Sequence, residues 1–281
     1  LGIFGGLGTL GAGVFAIVLP LLLHSVGFVS AYYIWTAFMI AGTILYFIMS
    51  CNAYHFQFRK QGYSEEASKA MAIEAGQELF PAGNMKQSLL LSARIPETWI
   101  LVIAYFVTFG GFMALTAWLP TYWQKAHGLS VTQAGLFTSV YACLAALLRI
   151  PGGNLADKIG GLKVSLFAIS LLGTVAAVMA FSSNLAVSGL CTLIIAVAFG
   201  LNNAAIMKLV PVYVSKSVGG ASGWVGGLGA FGGFVIPPVL GKVVDTMGAT
   251  GYYRGFLIFS LFSVIVMLIL YFGLVVRNKN K

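Results

Sequence analysis

Charge is what this sequence has least of. Sixteen basic and seven acidic side chains serve 281 residues, 8% of the composition, where soluble domains run near about 25%. So few ionisable groups cannot cover a water-facing surface, which excludes a soluble globular domain. Cysteine is nearly missing too: Cys51, Cys143 and Cys191 are scattered, two of them inside apolar runs. They supply neither a disulfide framework nor a metal cluster and read as small packing hydrophobes. The three histidines, His24, His55 and His127, sit at span ends or in loops, and no two have ligand spacing. A metal site and a histidine relay are therefore not expected. No Ser/His/Asp set, phosphate-binding loop or pair of intramembrane carboxylates occurs, so neither catalysis nor a cofactor is expected.

What is abundant is apolar surface and glycine: 59% hydrophobic residues, 35 glycines and a mean hydropathy of +0.94. The apolar stretches are long and unbroken rather than short and alternating, which favours an all-α membrane protein over a barrel. A bilayer core about 30 Å thick needs around 20 apolar residues per helix. Eight segments qualify: 1–23, 29–50, 98–122, 131–152, 162–182, 185–207, 219–241 and 253–276. Between the second and third lies 51–97, which holds five of the 16 basic residues and five of the seven acids and reads as a solvated linker. Within it Ser64-Glu65-Glu66, followed by Lys69, Ala70, Ile73, Ala75 and Leu79, predicts a short capped surface helix.

Basic residues are distributed unevenly. Loops on the linker's side carry Arg59, Lys60, Lys69, Lys86, Arg94, Lys158, Lys163, Lys208, Lys216, Arg277, Lys279 and Lys281; the opposite loops carry only Lys125, Lys242 and Arg254. The positive-inside rule then places the linker and the C-terminal tail in the cytoplasm of a multi-pass inner or plasma membrane protein. The net charge of +9 follows from this bias and does not call for nucleic acid; the lipid bilayer is the expected surroundings.

The first span contains Gly5-Gly6-Leu7-Gly8-Thr9-Leu10-Gly11-Ala12, and the seventh contains Gly226-Gly227-Leu228-Gly229-Ala230-Phe231-Gly232-Gly233; prolines follow at Pro20 and at Pro237-Pro238. Two similar spans six helices apart share one orientation, which indicates a parallel repeat of six. On that reading 1–50 closes one half, 51–97 joins the halves and 98–281 is a complete second half with a cytoplasmic tail. Eight of an expected twelve helices would be present, and a chain opening on Leu1 is expected to be truncated. Small residues let helix backbones approach in lipid, where burial of apolar surface contributes little. Gly6, Gly8, Gly11, Gly227, Gly229 and Gly232 are the candidates for helix packing and gating.

Arg149 is the anomaly. It stands in Leu144-Ala145-Ala146-Leu147-Leu148-Arg149-Ile150-Pro151 with no acid on its own apolar stretch. A buried arginine costs several kcal/mol unless it meets a partner or a wet cavity. Its permanent charge and planar fork of donors suit a small oxyanion; snorkelling to headgroups is the alternative. Gly152-Gly153-Asn154-Leu155-Ala156-Asp157-Lys158-Ile159-Gly160-Gly161 follows, a polar turn or a conformational latch, with Asp157 suited to a neighbouring helix N-terminus. Tyr105 and Phe109 are four apart, with Thr108 beside them, a spacing that by itself reads as packing. Asn202 and Asn203 are buried amides in need of partners. Lys208 reads as a positive-inside anchor.

The stretch from Arg149 to Gly161 resembles the loop motif of the major facilitator superfamily, with arginine in the place used by nitrate/nitrite porters. Gly6-Leu7-Gly8-Thr9-Leu10-Gly11, Tyr105-Phe106-Val107-Thr108-Phe109-Gly110-Gly111-Phe112, Lys208-Leu209-Val210-Pro211 and Gly226 to Gly233 are similar to that family's glycine-rich helices and signature segments. The resemblance implies a major facilitator-type helical bundle working by alternating access. It implies a substrate held between two arginines, one per half, with aromatics beside it. Arg149 matches the arginine of the second half, Tyr105 a substrate-contacting tyrosine and Phe109 a flanking aromatic. Thr9 stands where the family commonly has a substrate-contacting asparagine; the partner arginine is expected on a helix preceding this sequence. The expected function is transport of nitrate and/or nitrite, with a proton or a counter-anion as alternative co-substrates. Two rivals stand beside it: transport of another small anion such as a monocarboxylate, and a non-transporting sensor or structural protein in which Arg149 snorkels.

Overall fold

The structure, a computed structural model, describes residues 2–77 and 85–276. Leu1, Leu79 of the expected linker helix, the rest of 78–84, and the tail 277–281 with Arg277, Lys279 and Lys281 lie outside the described residues. All regular structure among the described residues is helical.

Helix α1 runs Gly2–Met49 and leaves helical geometry only at Gly27, with φ +77° and ψ 171°. Glycine adopts that φ without steric penalty, so the expected spans 1–23 and 29–50 are joined by a one-residue break instead of a loop. Seven helices among the described residues are long and apolar enough to cross a membrane, one fewer than the eight expected, and this merger is the difference. Two short helices follow, α2 (Tyr54–Lys60) and α3 (Glu65–Glu74). The Ser64 hydroxyl accepts from the Ala67 amide at 3.2 Å and caps α3 as its sequence predicts, but α3 stops at Glu74, before Leu79.

Helix α4 (Met85–Ala93) precedes a span built from α5 (Pro96–Tyr105), a wide i→i+5 turn at Phe106–Gly110, and α6 (Gly111–His127). Next come α7 (Val131–Leu147), α8 (Arg149–Ile159), α9 (Gly161–Ala180) and α10 (Leu185–Tyr213). After a short turn come α11 (Val218–Ala230), α12 (Gly232–Met247), α13 (Gly251–Arg254) and α14 (Leu257–Leu270). The boundaries follow local chemistry. Pro96 occupies the first turn of α5, where its missing amide is not needed. Ser130 and Gln133 form a reciprocal capping box at α7, 3.3 Å and 3.0 Å, and the Asn184 side-chain oxygen accepts from the Ala186 and Val187 amides at the start of α10. Gly128 and Gly160, at φ +68° and +94°, end α6 and α8.

Contacts divide the chain into two units, Leu1–Leu21 with Met85–Lys281, and Leu22–Asn84. In the second, α2 packs on α3 and the His55 amide donates to Gln77 at 3.1 Å. Lys69 bonds Glu65 at 2.6 Å and holds its carboxyl below the ordinary range. Residues 28–49 expose Tyr46, Phe47 and Ile48, a surface suited to lipid or another helix, not to water.

The first unit holds the core, where Tyr122, Trp123, Tyr141, Phe199, Phe256 and Phe259 are fully buried. The early part of α1 crosses α7 at backbone distance: a Cβ on Gly13 would lie 2.7 Å from the Cys143 nitrogen, and one on Gly135 2.7 Å from the Ala16 carbonyl oxygen. The linker's last stretch is packed rather than solvated. The Ser88 hydroxyl lies 2.8 Å from that of Ser217 and accepts from the Gly220 amide at 3.0 Å, and the Trp224 indole donates to the Leu89 carbonyl at 3.0 Å. These contacts dock α4 against the start of α11.

Gly135→Leu should lower the thermal midpoint in detergent, by about 1–3 kcal/mol of overpacking. Gly8→Ala, whose added carbon would meet nothing within 4 Å, should leave it unchanged or raise it. Equal losses from both variants would contradict the close crossing.

Candidate anion-binding centre

Pro151 interrupts the helix beside Arg149. A proline lacks the amide that would bond the carbonyl four residues back, at Leu147, and there the α7 ladder lapses. The chain turns through Leu148, and bonding resumes with the Gly152 amide on the Leu148 carbonyl at 3.0 Å. Arg149 opens α8 beside that break, 6% exposed, with its side chain turned into the bundle.

The guanidinium gathers three elements. Its Nη1 donates to the Gly5 carbonyl of α1 at 3.1 Å and reaches the Thr9 hydroxyl at 3.5 Å; its Nη2 donates to the Tyr105 hydroxyl at 2.7 Å. The Phe109 ring lies 5.1 Å from Cζ, in range of a cation–π attraction. Arg149, Tyr105, Phe109 and Thr9, the four residues expected to contact substrate, are thus brought together. Snorkelling is not what this side chain does. The Gly5 carbonyl was not foreseen; the only sequence signal was the Gly5-Gly6 pair, which bares backbone on that side of α1.

Every group that the guanidinium touches among the described residues is neutral: a carbonyl, two hydroxyls and an aromatic face. Hydrogen bonds satisfy several of its donors but leave its charge uncompensated among the described residues, and away from water a bare charge interacts more strongly with any charged group that comes near it. Because the Tyr105 oxygen accepts from Arg149, the phenol proton remains available to donate beside the guanidinium. Thr9 spends its own proton on the Gly5 and Gly6 carbonyls, 2.8 Å and 3.2 Å, so it offers lone pairs to Arg149.

The glycines divide into two groups. A Cβ on Gly229 would lie 2.6 Å from the Tyr105 ring, and one on Gly232 2.4 Å from the Phe106 carbonyl oxygen; on Gly6 it would meet the Ala146 carbonyl oxygen at 2.8 Å. Those positions need glycine for close approach. Gly8, Gly11 and Gly227 meet nothing within 4 Å, so packing within the described residues does not explain them. Asp157 stands apart from the centre, two turns along α8, and pairs with Lys208 of α10. Lys208 therefore holds a partner side chain and is more than a headgroup anchor. Asn202 donates to Thr108 at 2.9 Å, a helix-to-helix bond of the kind its burial requires.

Seven membrane-length apolar helices among the described residues define an integral, multi-pass helical membrane protein. The sequence profile of the Major Facilitator Superfamily matches residues 1–237 and, in a second alignment, 103–281; the chain belongs to that superfamily. Within it the sequence is similar to nitrate/nitrite transporters. It is 38% identical over 163 residues to the nitrite extrusion protein of Bacillus subtilis (strain 168), covering 58% of this chain and 40% of that protein. It is 34% identical over 170 residues to a probable nitrate/nitrite antiporter, NarK1, of Thermus thermophilus, covering 54% and 38%. The chain thus spans about two fifths of the length of these relatives. Among solved structures, a bacterial homologue of the human lysosomal transporter Spinster, inward-facing and unoccupied, aligns with a TM-score of 0.49 at 19% identity over 70% of this chain and 51% of that one.

A buried cation with no carboxylate partner among the described residues should be a burden on the fold. Arg149→Met should raise the thermal midpoint in detergent, by about 1–4 kcal/mol on the scale of buried charges replaced by packed hydrophobes. A lowered midpoint would make the guanidinium a structural tie.

Proposed function

We propose that this chain carries one side of the anion-binding centre of a nitrate/nitrite transporter working by alternating access. The observation that carries the reading is Arg149, buried, hydrogen-bonded and without a carboxylate among its contacts with the described residues. A planar oxyanion would take two parallel bonds from the guanidinium fork, a third from the Tyr105 phenol, and the Phe109 face along one side. The named substrates of the relatives, nitrate and nitrite, are anions of this size and shape. Monocarboxylates share the charge and fork geometry but carry an apolar tail, and competition between nitrate and lactate separates the two.

The proposal extends to organisation. Residues 1–50 close one half of a six-plus-six transporter, 51–97 joins the halves on the cytoplasmic side, and 98–281 forms the other half. The α1–α7 crossing beside Arg149 is then a contact between halves, where glycine-paired backbones slide as the centre changes access. Gly8, Gly11 and Gly227, which pack against nothing described, are in this reading surfaces that meet the opposing half or the passing anion. Binding of the anion supplies the missing charge and draws the two sides of the centre together.

Nitrate added to the detergent-solubilised chain should raise its thermal midpoint in a saturable way, with nitrite effective and acetate or lactate much weaker. Arg149→Lys should abolish the response, because an ammonium is a point charge without the planar fork. Tyr105→Phe should weaken it about 10- to 100-fold, the range of a hydrogen bond to a charged group, roughly 1.5–3 kcal/mol. An undiminished response in Arg149→Lys would overturn the assignment of the site, and a lactate response equal to that of nitrate would overturn the substrate.

A further inference from the structure

Between the two aromatic residues of the centre, the helix widens. Phe106–Gly110 adopts i→i+5 geometry, whereas α5 before it and α6 after it are regular. Such single wide turns mark places where a helix is held in a particular shape at some cost. Across this one the Tyr105 and Phe109 rings stack at 4.9 Å with 20° between their planes, and both address Arg149.

A chain of hydrogen bonds ends on the same turn. The Ser165 hydroxyl of α9 donates to the Asn202 carbonyl oxygen at 2.5 Å; the Asn202 amide of α10 donates to the Thr108 hydroxyl at 2.9 Å; the Thr108 hydroxyl donates to the Ala104 carbonyl at 3.0 Å. All three side chains are buried. The direction is consistent throughout: Thr108 uses its one proton on Ala104 and therefore faces Asn202 as an acceptor, which selects the amide end of Asn202 and leaves its carbonyl for Ser165. The last acceptor is the residue before Tyr105. On its other side the turn lies against bare backbone, since a Cβ on Gly110 would come 2.6 Å from the Gly232 α-carbon. Apolar side chains would fill the same space without desolvating three polar groups, and interhelical hydrogen bonds in membranes add little net stability. Fixing the geometry of the turn is what such a network does that packing alone does not.

We infer that Asn202 is a positioning residue for the anion-binding centre, holding the Phe106–Gly110 turn wide through Thr108 so that Tyr105 and Phe109 both face Arg149. This rests on the anion reading of Arg149 for its functional consequence, while its effect on the turn can be measured without any anion.

The test uses Asn202→Leu, Thr108→Val, Thr108→Ser and Ser165→Ala in the full 281-residue chain, with two readouts: the nitrate dissociation constant and amide hydrogen exchange across 104–111. Asn202→Leu and Thr108→Val should each weaken nitrate binding about tenfold, the equivalent of one misplaced hydrogen bond at the centre. Each should also speed exchange at Phe109, Gly110 and Gly111 beyond the rest of the span. Thr108→Ser, which restores the hydroxyl, should return both to the original values, and the Asn202→Leu/Thr108→Val double variant should be no worse than either single one. If Asn202→Leu does not fold, Thr108→Val and Ser165→Ala carry the same comparison. A lowered thermal midpoint with unchanged nitrate affinity would make the network merely structural and overturn the inference. If the unmodified chain binds no nitrate, the anion reading falls with the functional half of this one; unchanged exchange at the turn in the variants would overturn the remainder.

Discussion

A guanidinium cannot shed its charge, and water is the medium that best accommodates it. Placing one inside a helical bundle obliges the surroundings to supply dipoles, and the neighbourhood of Arg149 is arranged around that demand. Gly5 contributes a carbonyl from α1, Thr9 a hydroxyl and Tyr105 a phenol. Two separate helices, α1 and α5, meet at this one side chain of α8 because no single helix face can surround it. The dipoles orient the fork without neutralising it, so the group stays ordered and keeps its full charge.

Ordering of that kind needs close quarters, and glycine provides them. Where α1 meets α7 and where α11 and α12 meet the wide turn, an added carbon at Gly13, Gly135, Gly229 or Gly232 would collide with backbone or ring atoms. The Tyr105 ring is held between the Gly229 surface behind it and the Arg149 donor before it. Polar atoms fix direction and bare backbone fixes distance; the centre depends on both. Pro151 contributes by removal: with its amide gone, the ladder lapses at Leu148 and helical bonding resumes beside Arg149.

Much of this was legible in the residues. Scarcity of charge and unbroken apolar runs pointed to membrane helices because the bilayer imposes length and satisfaction of backbone bonds on any span. Arg149 stood out for the same reason, as the one permanent charge in an apolar stretch, and the resemblance to nitrate/nitrite porters picked out Tyr105, Phe109 and Thr9. Less visible were features that depend on partners distant in sequence. The break at Gly27 carries no turn cluster around it, so two spans with a loop were expected where the structure has one residue of irregular φ. Lys208 read as a surface anchor until Asp157, 51 positions earlier in the numbering, was found beside it. The docking of α4 on α11 through Ser88 could not be anticipated from a segment whose composition is that of a linker.

By itself the sequence determined the medium, the helical class, the family and the identity of the buried cation, because these follow from composition, from period and from motifs that are local along the chain. Only the tertiary structure decided that Arg149 turns inward to a carbonyl of α1 instead of outward to headgroups, that Tyr105 and Phe109 stack across a widened turn, and that Asn202 reaches Thr108. Those outcomes depend on which backbones come within a few ångströms of one another, and distance between segments far apart in sequence is not written in any one of them.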